Sequence, residues 1–170
     1  MMNVNSSKSY QMLGGNSMEQ ISTKLIALNQ DAKNWEDALI IAGNILEVNG
    51  YITADYTHEM INAVHDLGPY IVIAPGIAFG HARPSNSVKR TGFSIVTLNK
   101  PVEFGNKEND PVSIIMALSA INSEDHLNTL QRLIEFLQVE KNISYLKQAK
   151  TEQDKETIIR LINNGGDKDA

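Results

Sequence analysis

Four histidines are the side chains in this sequence best suited to group-transfer chemistry near neutral pH, and their settings differ. His81 lies in Pro75-Gly76-Ile77-Ala78-Phe79-Gly80-His81-Ala82-Arg83-Pro84, a loop-like stretch punctuated by Gly and Pro just after a β-branched run. The small residues on either side, Gly80 and Ala82, leave its imidazole uncrowded and let another macromolecule come close. Arg83, two residues on, offers a planar set of donors to an oxyanion. That neighbour raises His81 only modestly above an ordinary loop histidine, since most such residues do no chemistry. His126 follows Asn122-Ser123-Glu124-Asp125 in the first turn of a predicted helix, at the edge of an apolar stripe formed by Leu130, Leu133 and Leu137. The positive end of a helix is a good place to help hold an anion, and a capping-region histidine packed on the core edge is an equal alternative. His58 and His65 share roughly one face of another predicted helix and read as solvated surface side chains.

Several chemistries are excluded or unsupported. The chain of 170 residues has no cysteine, so disulfides, thiolate metal sites and cysteine nucleophiles are absent. No HExxH or His-x-His spacing suggests a zinc site, and neither GxxxxGK[ST] nor GxGxxG suggests a nucleotide, so no metal and no cofactor are expected. A net charge of -5 and no dense basic run argue against a nucleic-acid surface. The longest apolar runs, such as Ile114 to Ile121, fall far short of a membrane span, and the opening MMNVNSSKSYQMLGGNSM lacks the apolar centre of a secretory signal. A cytoplasmic address is the resulting expectation.

The elements that must position these residues follow from periodicity. Residues 1–17 are polar and aperiodic and read as a flexible extension or a remnant of cloning; 18–163 read as one domain and 164–170 as a frayed tail. Leu25–Leu28 suggests a short strand. Trp35, Ala38, Leu39, Ala42, Ile45 and Leu46 recur at helical spacing, capped by Asn34 and stopped at Asn49-Gly50. A second helix starts near Ala54 and ends at Gly68-Pro69. Tyr70–Ala74, Gly92–Leu98 and Val112–Ala120 read as buried strands, the last covered on both faces, and Pro101–Gly105 as an edge element. Three helices complete the chain: one through Leu127–Leu137 capped by Asn122 or Ser123, one near Lys141–Lys147, and one over Glu152–Leu161 capped by Thr151. Helices, then strands, then helices predict an α/β domain, a three-layer α/β/α sandwich whose mixed sheet has four to five strands. Tyr51, Tyr56 and Tyr70 are candidates to line a contact between chains.

The segment GPYIVIAPGIAFGHARP, from Gly68 to Pro84, resembles the active-site segment of enzyme IIA proteins of the mannitol/fructose type. These belong to the bacterial phosphoenolpyruvate-dependent sugar phosphotransferase system, and GPYIVIAPGIA followed by HARP most resembles its ascorbate branch. The resemblance continues through TGFSIVTLNKPVEFGNKENDPVSIIMAL and SEDHLNTLQRLIEFL, covering roughly Met18 to Ile162. It implies that His81 takes the phosphoryl group, that His126 is the second active-site histidine supporting it, and that Arg83 and Glu103 have supporting roles. For Glu103 a surface or fold-stabilising role is the alternative. It also implies HPr as donor, enzyme IIB on another polypeptide as acceptor, and the membrane enzyme IIC as an indirect partner. Phosphorylation controlling a regulator or transporter, or a binding domain without phosphotransfer, are competing functions. Two departures stand out: Gly80 occupies a place usually held by Pro, which predicts a looser loop, and Ala63 matches the position of an arginine in the mannitol-type relatives, leaving Arg83 or Lys89 to compensate.

Overall fold

Val112–Ser119 is apolar at nearly every position, so neither of its faces can be left to water, and the sheet is built around it. A computed structural model describes residues 22–164; the proposed extension 1–17, and all but the first residue of the proposed tail 164–170, lie outside the described residues. The strands are β1 (Ile26–Gln30), β2 (Val72–Ala74), β3 (Ile77–Gly80), β4 (Gly92–Val102) and β5 (Val112–Ser119), and the helices are α1 (Trp35–Val48), α2 (Ala54–Leu67), α3 (Ser123–Leu137), α4 (Glu140–Gln148) and α5 (Glu152–Asn163). The five strands form one sheet in the order β1-β4-β5-β3-β2. β1 is parallel to β4 and β3 to β5, while β4 with β5 and β2 with β3 are antiparallel, so the sheet is mixed as expected. Helices α1 and α2 pack as a pair, α1 lying on β4 and β5; α3, α4 and α5 pack on one another, with α3 and α4 against β5. With Ile114, Ile115, Met116 and Ala117 all fully buried, both faces of β5 are covered and the three-layer arrangement holds.

Local chemistry sets the helix ends. Asn34 Oδ1 accepts from Asp37 N at 2.8 Å to open α1, and Asn122 Oδ1 accepts from Asp125 N at 2.8 Å to open α3. Thr151 and Asp154 form a reciprocal capping box at α5. Gly68 ends α2 with φ +83°, a left-handed value that a side chain would strain.

Four expectations need correction. The stretch read as a loop before His81 contains β3, which pairs Ile77 with Ile114 and Gly80 with Ala117. Ile77-Ala78-Phe79-Gly80 is too short and too rich in small residues to announce itself; its parallel pairing with β5 makes it a strand. The preceding run is not a buried strand: only Val72–Ala74 is extended, on the sheet edge, and Ile73 is exposed. Pro101 and Val102 are not a separate element but the end of β4, where β1 has already stopped pairing at Leu98, so a missing N–H costs no ladder bond on that side. Finally, Tyr51 and Tyr56 are core residues, and of the tyrosines expected at a contact Tyr70 alone is exposed.

Candidate functional site

The parallel strands β3 and β5 deliver the two histidines. His81 is the first residue after β3, and β5 leads through Ala120 and Ile121 into the cap of α3, whose first turn carries His126. Their rings meet with centroids 5.2 Å apart at an interplanar angle of 61°. Both are half-buried, and both line an open groove of about 850 Å³ that runs along α2. His81 Nδ1 lies 2.8 Å from Phe79 O. A carbonyl oxygen only accepts, so in the neutral ring Nδ1 carries the proton and Nε2 the free lone pair. Burial first, and the neighbouring His81 second, hold the His126 imidazole below the usual histidine value, so it is neutral at neutral pH.

The rest of the site explains why these rings stay put. Thr91 Oγ1 donates to Asp125 Oδ2 at 2.9 Å and accepts from Ile121 N at 3.1 Å, tying the first turn of α3 to the start of β4. Tyr56 Oη donates to Leu118 O at 2.7 Å and accepts from Ala82 N at 3.1 Å, bridging the exits of β5 and β3; burial pushes its hydroxyl up to about 12. Tyr70 packs edge-on against His81, with ring centroids 5.2 Å apart, and donates to His81 O at 3.0 Å. Glu59 on α2 accepts from Ser85 Oγ at 2.9 Å and Ser87 Oγ at 3.0 Å, fastening the loop that carries Arg83.

Of the residues expected at the site, His81, His126 and Arg83 come together on the groove. Arg83 is exposed, and its guanidinium has no partner among the described residues. Glu103 does not join them. It follows Val102, which pairs with Val112 at the start of β5, whereas Gly80 pairs with Ala117 near its end. At about 3.3 Å per residue this puts Glu103 roughly 20 Å from His81, at the other end of the sheet. The geometry sets it apart from the two histidines and leaves it a surface residue. Lys89 is also outside the groove, its backbone N–H bonded to Tyr51 O at 2.8 Å, whereas Ala63 does line the groove. Gly80 is not a loosening residue: it is buried in β3, and a Cβ there would lie 2.7 Å from Leu39 Cδ2. The positioning role of Tyr56 was missed in the sequence. The signal was present, because Tyr56, Met60 and Val64 recur every fourth residue on the buried face of α2, and a buried tyrosine hydroxyl needs a partner.

No group of three His, Asp or Glu among the described residues could hold a metal ion, and no helix among them is long and apolar enough to cross a membrane.

Comparison with known proteins agrees with this architecture. The ascorbate-specific PTS system EIIA component of Escherichia coli K12 is 36% identical over 141 residues, 82% of this chain and 92% of that protein. The crystal structure of a PTS IIA (PtxA) from Streptococcus mutans superposes with a TM-score of 0.76 at 28% identity, covering 85% of this chain and 94% of that one. The IIA chain in the complex of enzyme IIAMtl with phosphorylated enzyme IIBMtl from Escherichia coli shares the fold, with a TM-score of 0.73 at 23% identity over 82% of this chain and 96% of that one. The family model described as "Phosphoenolpyruvate-dependent sugar phosphotransferase system, EIIA 2" matches residues 19–165. With a match across almost all of the described fold, the chain belongs to the EIIA 2 family of the phosphoenolpyruvate-dependent sugar phosphotransferase system.

Proposed function

We propose that this chain is a phosphocarrier that accepts a phosphoryl group from phospho-HPr on His81 Nε2 and passes it to an enzyme IIB, in the uptake of ascorbate or a related sugar acid or polyol. The observation that carries the reading is the ring arrangement. One nitrogen of His81 is committed to Phe79 O at 2.8 Å, the other is free, and the His126 ring stands 5.2 Å away on the same groove. The Nε2 lone pair attacks phosphorus, the nitrogen–phosphorus bond of the donor histidine breaks, and its electron pair stays on the donor imidazole. His81 then carries the group until an acceptor side chain on IIB displaces it in the same way. Such transfer asks for positioning and charge stabilisation rather than proton shuttling. The His126 ring N–H and the free Arg83 guanidinium are the donors available to the phosphoryl oxygens.

Carriers must meet two proteins in turn, and the rim suits this. Leu67, Tyr70 and Leu127, all exposed, line the same groove as the histidines. A cluster of exposed large apolar side chains around a reactive ring marks a protein-docking face. The mannitol IIA of similar fold forms a complex with phosphorylated IIB, which supports an IIB partner here.

The test is incubation of the purified chain with phosphoenolpyruvate, enzyme I and HPr, followed by peptide mass spectrometry. An acid-labile phosphate on the peptide containing His81, discharged on adding an ascorbate-type IIB, is the expected result. Absence of label, or label that survives His81→Ala, rejects the proposal.

A further inference from the structure

One peptide group beside the reactive ring is held at both of its polar atoms by side chains. The carbonyl oxygen of His81 accepts from Tyr70 Oη at 3.0 Å, and the N–H of Ala82, the other end of the same peptide, donates to Tyr56 Oη at 3.1 Å. A phenol has a single proton. The 2.7 Å bond to Leu118 O takes that of Tyr56, so toward Ala82 this hydroxyl acts as an acceptor. The two tyrosines arrive from different places: Tyr56 from the buried face of α2, Tyr70 from the turn between α2 and β2.

No backbone partner duplicates these bonds. Gly80 with Ala117 is the last pair of the β3–β5 ladder, and among the described residues no loop hydrogen bond between main-chain groups holds residues 82–84. Among the described residues the imidazole is hydrogen-bonded through Nδ1 to Phe79 O and packs edge-on with the Tyr70 and His126 rings. The Nδ1–H···Phe79 O bond sets the tautomer, and the Tyr70 ring packed on the imidazole is anchored through its hydroxyl to His81 O. Holding the His81–Ala82 peptide therefore holds the main chain that carries the ring and keeps the Tyr70 ring against it.

We propose that Tyr70 and Tyr56 are positioning residues for phosphoryl transfer, clamping the His81–Ala82 peptide from its two ends so that His81 Nε2 keeps one orientation toward the incoming phosphorus. This rests on His81 being the acceptor. Transfer in line is sensitive to small angular errors, because the protein contributes little besides placement. Tyr70 does this from the docking rim, where a bound partner would cover its hydroxyl and exclude the water that competes for His81 O. Burial already raises the Tyr70 hydroxyl above the ordinary tyrosine value, so it remains a donor throughout the neutral range.

The experiment compares Tyr70→Phe, Tyr56→Phe and Tyr70→Ala with the wild-type chain in single-turnover phosphorylation by phospho-HPr. Tyr70→Phe keeps the ring and removes the proton donor. Its rate at saturating donor is expected to fall about tenfold, with the half-saturating donor concentration changed by less than about twofold. Tyr70→Ala also removes rim surface and raises that concentration. Nitrogen-15 spectra of the imidazole provide a readout independent of transfer: in Tyr70→Phe the Nδ1–H signature of His81 becomes averaged between tautomers, and in Tyr56→Phe the Ala82 amide exchanges faster. If Tyr56→Phe does not fold, Tyr70→Phe decides alone. A wild-type rate with unchanged ring shifts in Tyr70→Phe overturns the clamp. A wild-type chain that takes no phosphate on His81 instead overturns the phosphocarrier reading, and the ring spectra still test the clamp.

Discussion

His58 and His65 sit two turns apart on one helix, whereas His81 and His126 lie far apart in the chain, on a strand exit and a helix start. The neighbours in sequence are served separately: His65 packs against the Trp35 ring at 5.0 Å and approaches Glu36 Oε1 at 3.7 Å, and neither it nor His58 lines the groove. The distant pair shares one ring contact and one groove. The difference is topological. β3 and β5 are parallel neighbours, so both histidines emerge at the carboxyl ends of adjacent strands, where open α/β sheets gather their ligands. A helix surface, by contrast, presents its residues outward and leaves them to water.

The sharpest break of that comparison is deletion of each ring. His81→Ala should reduce phosphate incorporation from phospho-HPr to background, while the double variant His58→Ala/His65→Ala labels as the parent does. If the double variant loses the label, the two pairs have been assigned the wrong way round.

Next in size is His126. Removing a donor aimed at developing phosphoryl charge costs on the order of a hundredfold in rate, and His126→Gln, which keeps an N–H, should recover part of the loss seen in His126→Ala. Its titration has a definite sign. A ring whose folded value is depressed binds fewer protons in the fold than in the unfolded chain. Its full contribution is present above about pH 6.5 and is eroded as pH falls below it, levelling off once the folded ring itself takes the proton. Melting temperature should thus fall less on acidification in His126→Gln than in wild type. Phosphate on His81 reverses the local field, so the NMR midpoint of His126 should move up when the carrier is charged.

Much of this was legible from residue patterns alone. Strands β4 and β5, the helices and their Asn and Thr caps follow from periodicity and local hydrogen bonding, which the fold does not override. His81 and His126 were visible as candidates because one sits among small residues and the other in a capped first turn. Their meeting was not, since it depends on the pairing of β3 with β5, and β3 has no strand signature of its own. The same blindness made Gly80 look like a source of mobility. In the sheet it is a point of close approach, where Leu39 fills the space a side chain would need. Gly80→Ala should therefore destabilise the fold by about 1–3 kcal/mol, the usual cost of overpacking a filled core, seen as a lower midpoint in urea. Pairing it with Leu39→Val should return part of that loss if the clash is the cause.

The smallest effect belongs to Glu103, and it separates the two ends of the sheet most cleanly. The resemblance offered both Arg83 and Glu103 as support for the phosphoryl group, and only Arg83 lies beside His81 in the sequence. The ladder separates them in space: Val102 opposite Val112 and Gly80 opposite Ala117 place the two side chains at opposite ends of β5. A carboxylate roughly 20 Å from His81, and exposed to solvent, lies beyond the Debye length of about 8 Å at physiological salt and interacts negligibly with a charge there. Glu103→Gln should leave both the rate of phosphoryl uptake and its salt dependence unchanged within about twofold, the range of ordinary surface substitutions. Arg83→Ala, which removes an unpaired cation from the groove, should slow uptake about tenfold, as expected for loss of one charge-assisted donor. Equal losses in the two variants would mean that Glu103 reaches the docked partner, and the functional face would then have to extend around the far end of the sheet.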